Sequence, residues 1–161
     1  MKFKILIPVY NDWQSVLKLL DGINFSIENL EHEISVIIVN DASNHDRPIY
    51  EKDLQNIYSV KILNMKINQG HARCIATGLK YIYEKEDFDY IIPMDGDGED
   101  RPDEILKFLN QIQDSREYPI VGERIKRSEN LVFKTVGKDF QDNIILPGQL
   151  KLLKKMLVKL I

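Results

Sequence analysis

Apolar residues of this chain fall in short, nearly continuous runs separated by polar turns. Five such runs predict β-strands at 3–9, 34–39, 60–65, 90–94 and 118–121. The first run is nearly continuous, so its strand is expected to be covered on both faces, as in a parallel sheet, and the runs at 34–39 and 90–94 also predict buried strands.

Between the strands, apolar positions recur at helical spacing. They predict a helix capped by Asn11 or Asp12 and running through Gly22, one over 71–83 and one opened by Pro102, with a short helix ending at Leu54. The residues expected to face inward in the second and third of these are Ala72, Ile75, Ala76, Leu79 and Ile82, and Ile105, Leu106, Leu109 and Ile112. Strands alternating with helices predict a three-layer α/β fold, a mostly parallel sheet with helices on both faces and right-handed crossovers.

The pattern weakens after Gly122. We expect one domain over 1–128 and a divergent tail over 129–161, whose last part, 150–161, has leucines at helical spacing and predicts an amphipathic helix. Its apolar face would pack on the sheet or on a second copy of the chain, forming a homo-oligomer. The alternative is that its lysines make a peripheral membrane contact.

Composition narrows the class of protein. With 161 residues, 43% hydrophobic and 29% charged, the chain is long enough for a soluble domain with a real core, and its net charge of −3 argues against nucleic acid as a partner. A single cysteine, Cys74, excludes an internal disulfide and predicts a small core residue in a reducing cytosol. Met1-Lys2 leads straight into a strand without a signal peptide, and no apolar stretch would span a bilayer, so we expect a cytoplasmic protein, with any membrane contact at the inner face.

The chemistry centres on Asp95 and Asp97, which directly follow the fourth predicted strand and are separated by Gly96. Gly96 would let the backbone bend so that the two carboxylates converge. Converging carboxylates repel each other unless a cation lies between them, which predicts a hard divalent metal carrying a phosphate-bearing substrate. The alternative is an acidic surface turn, because Asp-Gly pairs are common turn formers.

Polar residues also follow the first two strands, and in a parallel sheet these ends share one edge with the aspartates. There Tyr10 could offer its ring to a base, and Asn40 or Asp41 could bond to base N–H groups. The full set predicted at this edge is Pro8, Tyr10, Asn11, Asn40, Asp41, Ser43 and Asp95. The alternative for each turn is a helix cap or an Asx-turn.

A fourth piece precedes the helix predicted at 71–83. Asn68 and Gly70 would bring backbone close to a ligand at a helix N-terminus, which favours anions. Arg73 could contact a phosphate, or it could be a solvated helix arginine. His71 could contact the ligand or cap the helix, and with no other histidine nearby in sequence it is not expected to bind metal.

Four motifs occur here in one order: Pro8-Val9-Tyr10-Asn11, Asn40-Asp41-Ala42-Ser43, Asn68-Gln69-Gly70 and Met94-Asp95-Gly96-Asp97. In this order the chain resembles the family 2 glycosyltransferases of the GT-A fold, over roughly 2–128. It is most similar to the branch of polyprenyl- and dolichyl-phosphate sugar transferases and bacterial surface-polysaccharide enzymes.

The resemblance implies a nucleoside-diphosphate sugar donor, an acceptor that is unknown or lipid-linked, and Mg²⁺ or Mn²⁺. Asp97 would bind the metal directly, and Asp95 would contact the donor ribose or the metal shell. Pro8, Tyr10, Asn40 and Asp41 would line the nucleoside pocket. No catalytic base can be assigned from the sequence. Glu99 and Asp100 would lie near the metal, but the expectation for them is a solvated acidic turn before a helix N-terminus.

Two departures from the family pattern keep other functions open. Asn40 stands where many relatives carry aspartate, and the resemblance fades from about Val136, where relatives continue with an acceptor-binding half. The alternatives are a fragment or truncated product that acts as a non-catalytic sugar-nucleotide-binding or oligomerising module, and an α/β phospho-acceptor regulator using its acidic cluster.

Overall fold

The described residues form a four-stranded parallel sheet, three helices and a short second pair of strands. The computed structural model describes residues 1–50, 52–112, 121–122 and 158–159. In chain order the elements are β1 (Lys2–Val9), α1 (Trp13–Ser26), β2 (Glu33–Asn40), β3 (Ser59–Asn64), α2 (His71–Lys85), β4 (Tyr90–Pro93), α3 (Glu104–Ile112), β5 (Val121–Gly122) and β6 (Val158–Lys159).

The main sheet has the strand order β3-β2-β1-β4, and every neighbouring pair is parallel. In its register, Ile5 of β1 lies opposite Val36 of β2 and Ile92 of β4. The predicted parallel α/β sheet is therefore confirmed. Because all four strands run the same way, their carboxyl ends meet at a single edge, where the polar turns follow.

Side chains of β1 alternate between two buried clusters, one on each face of the sheet. Phe3, Ile5 and Ile7 join the cluster that contains the buried faces of α1 and α3. Leu6 joins the cluster that contains Cys74 of α2. Helices therefore cover both faces, as predicted, and Cys74 is the small core residue that its sequence context indicated.

Helix α2 buries part of the predicted face, because Ile82 is buried and Ile75 and Leu79 pack against the same cluster. Ala72 and Ala76 are exposed, and the buried positions are Cys74, Gly78 and Ile82. A methyl group added at Gly78 would lie 2.3 Å from Leu6 Cδ1 and 2.8 Å from Val39 Cγ2, so the glycine lets the helix backbone approach the sheet closely. This close approach, which an apolar count overlooks, sets the rotation of the helix.

The helix predicted up to Leu54 is absent from the described residues around it, 41–50 and 52–58. The residues of this segment bond instead to α1 and to the loop before it. The backbone N–H groups of Asn44 and His45 donate to Asn11 Oδ1, and the side chains of Tyr50 and Lys52 bond to Asp21 of α1. The segment is thus a loop tied to its neighbours.

Helix boundaries differ modestly from prediction. Asp12 caps α1 by accepting the Ser15 N–H, but the helix continues past Gly22 to Ser26. Pro102 precedes α3, because the residues before Glu104 form a turn in which the Pro102 carbonyl accepts the Ile105 N–H.

Two short strands, β5 and β6, form a separate parallel pair. β5 overlaps the end of the predicted fifth strand, whose residues 118–120 lie outside the described residues. The helix predicted over 150–161 is wrong at Val158 and Lys159, because these residues extend to pair with Val121 and Gly122. The rest of that prediction, most of the 129–161 tail and its partner contacts also lie outside the described residues.

Candidate functional site

A cleft of about 320 Å³ opens at the carboxyl edge of the sheet, between the ends of β1 and β4 and the start of α2. Its walls are formed by Pro8, Val9, Tyr10, Asp12, Val16, His71, Asp95, Gly96 and Asp97. A smaller cavity of about 90 Å³ shares its Pro8–Tyr10 wall and His71, and extends toward Asp41 and Cys74. The structure thus places Tyr10, Asp95 and Asp97 around one space and Asp41 beside it.

In the turn after β4, acidic side chains accept hydrogen bonds from backbone N–H groups of the same turn. The Asp95 N–H donates to Asp100 Oδ2 at 2.8 Å, and the Glu99 N–H donates to Asp97 Oδ1 at 2.9 Å. Asp100 is only 7% exposed. The expectation that Asp100 belongs to a solvated turn is therefore wrong, since its carboxylate is buried to bind backbone.

The glycines of this turn act differently from the prediction. The positive φ belongs to Gly98, at 89°, and not to Gly96. A methyl group at Gly96 would lie 3.0 Å from Val16 Cγ2 and 3.3 Å from the Pro8 carbonyl oxygen. Gly96 is needed because the turn packs tightly on α1 and β1, and this packing puts both carboxylates on the cleft wall.

Asp41 connects the end of β2 to the loop before α2. It is 3% exposed, and its two carboxylate oxygens accept the backbone N–H groups of Gln69 and Gly70, both at 2.8 Å. The Asn68 side chain donates to the Asp41 carbonyl oxygen at 3.2 Å. Asp41 and Asn68 therefore hold the loop in place, and Asp41 also lines the small cavity.

Gly70 adopts φ 86° at the N-terminus of α2, and a methyl group there would meet nothing within 4 Å. The positive φ by itself accounts for a glycine at this position, and the close approach of a ligand to its backbone stays a prediction.

Three further predicted site residues form hydrogen bonds that connect the turns after β1 and β2, and they line neither cavity. Asn40 Oδ1 accepts the Ser43 N–H, and Asn40 Nδ2 donates to Asn64 Oδ1 at 3.0 Å. The Asn11 N–H donates to Ser43 Oγ at 2.8 Å, with Asn11 at φ 62°. These contacts match the Asx-turn alternative, and they brace the loops behind Tyr10.

Tyr10 and Arg73 are both exposed, but only Tyr10 lines the two cavities. Tyr10 is 50% exposed and forms part of the wall of both cavities, so its ring is accessible to a ligand. Arg73 lines neither, and its Nη1 lies 3.5 Å from Gln69 Oε1, one turn back. Its position matches the solvated helix arginine.

His71 and Asp12 were absent from the predicted binding set, yet both line the cleft. His71 Nε2 lies 3.4 Å from Asp95 Oδ1, joining the start of α2 to the end of β4. The Asn68-to-Arg73 motif pointed to His71, but nothing in the sequence named Asp95 as its neighbour. Cys74 lies behind the cleft, where burial raises the pKa of its thiol to about 11, so it is a poor nucleophile.

No group of three or more His, Cys, Asp or Glu side chains within the described residues is arranged to hold a metal ion. Asp95 and Asp97 offer carboxylate oxygens from one turn on the cleft wall, and Asp12 lines the same cleft. Mg²⁺ is commonly held by one or two carboxylates together with substrate phosphates and water, and not by a full protein cage. The donor set therefore fits a cation that arrives with a phosphate ligand.

The family model described as "Glycosyl transferase family 2" matches residues 4–159. Among curated proteins, an undecaprenyl-phosphate 4-deoxy-4-formamido-L-arabinose transferase of Proteus mirabilis is 27% identical over 140 residues, covering 85% of this chain and 41% of the relative. An uncharacterized protein of Methanocaldococcus jannaschii is 27% identical over 121 residues, covering 74% of this chain and 50% of the relative. The chain thus spans half or less of the length of these relatives.

Crystal structures of S. aureus TarS share the fold. Its 1–349 fragment in complex with UDP-GlcNAc superposes with a TM-score of 0.61 at 20% identity, covering 81% of this chain and 37% of that one. The same fragment with UDP also gives a TM-score of 0.61, at 18% identity and with 81% and 38% covered. In the part of this chain that the structure describes, no helix has the length and apolarity to cross a membrane.

Proposed function

The chain belongs to glycosyl transferase family 2, and we propose that its cleft binds a nucleoside-diphosphate sugar whose sugar is transferred to an acceptor. One observation carries this proposal: Asp95 and Asp97 share a single cleft with the accessible ring of Tyr10. Such a donor carries a diphosphate and a base. The carboxylates can hold the diphosphate through a metal ion, and the aromatic ring can stack on the base. The UDP and UDP-GlcNAc complexes of TarS, which has the same fold, support this donor class.

Within this proposal, Asp97 and Asp95 would hold Mg²⁺ or Mn²⁺ together with the diphosphate. When bound, the cation would offset the negative charge that builds on the leaving diphosphate. Tyr10 stacks on the base at the outer end of the cleft. Asp41 and Asn68 act on the protein itself, since they fix the loop that carries His71 against the ligand.

The acceptor is proposed to be a lipid-linked phosphate, in the synthesis of a surface polysaccharide or lipid-linked glycan. The Proteus mirabilis relative, named an undecaprenyl-phosphate transferase, supports this class. A phosphate oxygen is already nucleophilic, so it would attack the anomeric carbon without a protein base. Such an acceptor would bring the chain to the inner face of a membrane as a peripheral contact.

A second candidate is a sugar-nucleotide-binding module without transferase activity. It would need only the contacts proposed here for the nucleotide, and the residues that make them line the described cleft. The first candidate predicts release of UDP from a UDP-sugar on adding undecaprenyl phosphate and Mn²⁺. Tight binding of nucleotide with no release under the same conditions would favour the module.

Calorimetric titration with UDP, GDP, CDP and dTDP, each with and without Mn²⁺, tests the donor site itself. We expect one nucleotide to bind, and Mn²⁺ to strengthen its binding. Asp97→Asn keeps an oxygen that can accept the Glu99 N–H but removes the charge, so we expect it to abolish the effect of Mn²⁺ and leave the fold intact.

The matched control for this variant is Asp46→Asn, which changes an exposed carboxylate on a loop outside the cleft. It should bind like the parent. If Asp97→Asn retained the full Mn²⁺ effect, the assignment of the metal to this turn would be wrong.

A further inference from the structure

His71 lies where the two cavities of the site meet. It lines both the 320 Å³ cleft with Asp95 and Asp97 and the 90 Å³ cavity with Asp41. Its Nε2 atom is 3.4 Å from Asp95 Oδ1. Contacts between site groups are often longer in a ligand-free protein than in its complex, so this distance is compatible with a hydrogen bond that tightens on binding.

The main chain that carries this imidazole is held in place. Asp41 binds the N–H groups of Gln69 and Gly70, immediately before His71, and α2 begins at His71 itself. The side chain therefore projects from a braced junction between a loop and a long helix. A residue held in this way can orient a neighbour, whereas one on a loose loop cannot.

Asp95 is held at its main chain by a separate contact. Its N–H donates to Asp100 Oδ2, which fixes the backbone at this residue. His71 approaches one oxygen of that side chain, and an N–H donor there would settle which way the carboxylate faces. The two contacts together would present Asp95 to the cleft in one orientation.

We propose that His71 is a positioning residue that holds the Asp95 carboxylate toward the cleft for binding of the metal diphosphate. This inference rests on the proposed function, because it gives Asp95 a role toward that ligand. Partners that orient metal-binding side chains typically change metal affinity by 10- to 100-fold when they are removed. His71 is thus assigned an effect on metal affinity and no direct contact with the nucleotide.

The test compares His71→Gln with His71→Leu. Glutamine offers an amide N–H near the place of the imidazole Nε2, whereas leucine has similar bulk and no donor. Binding of Mn²⁺ in the presence of UDP is followed by electron paramagnetic resonance of the free ion, at one fixed pH. We expect His71→Leu to weaken Mn²⁺ binding by about tenfold or more, and His71→Gln to recover most of it.

Two control measurements make the outcome decisive. UDP affinity without Mn²⁺ should be the same in all variants, and His32→Gln, at the opposite end of the sheet, should bind like the parent. Equal losses with and without Mn²⁺ would show that His71 touches the nucleotide, and no loss in His71→Leu would show no role; either result overturns the inference. If the parent protein itself bound neither UDP nor Mn²⁺, the proposed function would fail first.

Discussion

The carboxylate of Asp41 accepts the backbone N–H of Gly70 at 2.8 Å, across the edge where β2 ends and α2 begins. A second bond of the same length, from the Gln69 N–H, makes Asp41 a two-point clamp on this loop. Bonds to a buried carboxylate are stronger than neutral ones and costly to break. The shape of the cleft therefore depends on a residue that the ligand need not touch.

Asp41→Asn should destabilise the protein, since an amide supplies one acceptor where the loop needs two and turns its NH₂ group toward an N–H. We expect a loss of about 2 kcal/mol in the free energy of unfolding, measured by urea denaturation. Asp46→Asn, which alters an exposed carboxylate, serves as the control and should change stability by less than about 0.5 kcal/mol. If the two variants lost the same stability, Asp41 would not be acting as a clamp on the loop before α2.

Much of this architecture could be predicted from the sequence. The apolar runs that became β1, β2 and β4 have little alternation, and a buried parallel sheet is the structure in which such runs are stable. The polar turns after these strands then had to share one edge. The grouping of Tyr10, Asp95 and Asp97 in one cleft was predictable for this reason alone.

The roles of the individual polar residues could not be predicted in the same way. Asp41 and Gln69 are 28 positions apart, and no local pattern tells a carboxylate that binds backbone from one that awaits a ligand. Asp100 was misjudged for the same reason, since an acidic turn before a helix is usually solvated. Gly78 and Gly96 were hard to interpret for a related reason. Each packs closely on a neighbouring element, and the sequence alone does not say which element that is.

Gly96→Ala should disturb the cleft by steric contact. Its new methyl group would meet Val16 Cγ2 at 3.0 Å and the fixed Pro8 carbonyl oxygen at 3.3 Å, which would push the turn carrying Asp95 and Asp97 outward. We expect a loss of stability of about 1–3 kcal/mol and weaker binding of UDP with Mn²⁺, measured by denaturation and calorimetry.

A second substitution separates steric contact from backbone strain. Val16→Ala removes the Cγ2 atom and should recover part of the binding lost in Gly96→Ala. It should recover nothing in Gly98→Ala, where a methyl group meets no atom within 4 Å and the cost comes from φ 89°. Strictly additive effects of Gly96→Ala and Val16→Ala would contradict the packing explanation.

Glu86 anchors an ion-pair cluster far from the site. Its carboxylate lies 2.6 Å from Lys61 Nζ and 3.6 Å from Nζ of Lys4, a lysine buried in β1 that also donates to Ser35 Oγ. Burial by itself raises the pKa of Glu86, but the hydrogen bond from Lys61 and the charges of both lysines outweigh it, so the pKa lies below its ordinary value of 4.5.

Because the pKa of Glu86 is lower in the folded state, its contribution to stability is fully present above pH 4.5 and is lost as the pH falls through the folded-state pKa. Glu86→Gln leaves the Lys4 ammonium buried without its nearest carboxylate, and we expect a cost of about 3 kcal/mol at pH 7. The difference in unfolding free energy between parent and variant should shrink as the pH is lowered below 4.5.

Glu84→Gln, whose partner Lys80 is exposed on the same helix, should cost less than about 1 kcal/mol. A Glu86→Gln penalty that stayed constant down to acid pH would show that packing, and not charge, gives this residue its importance.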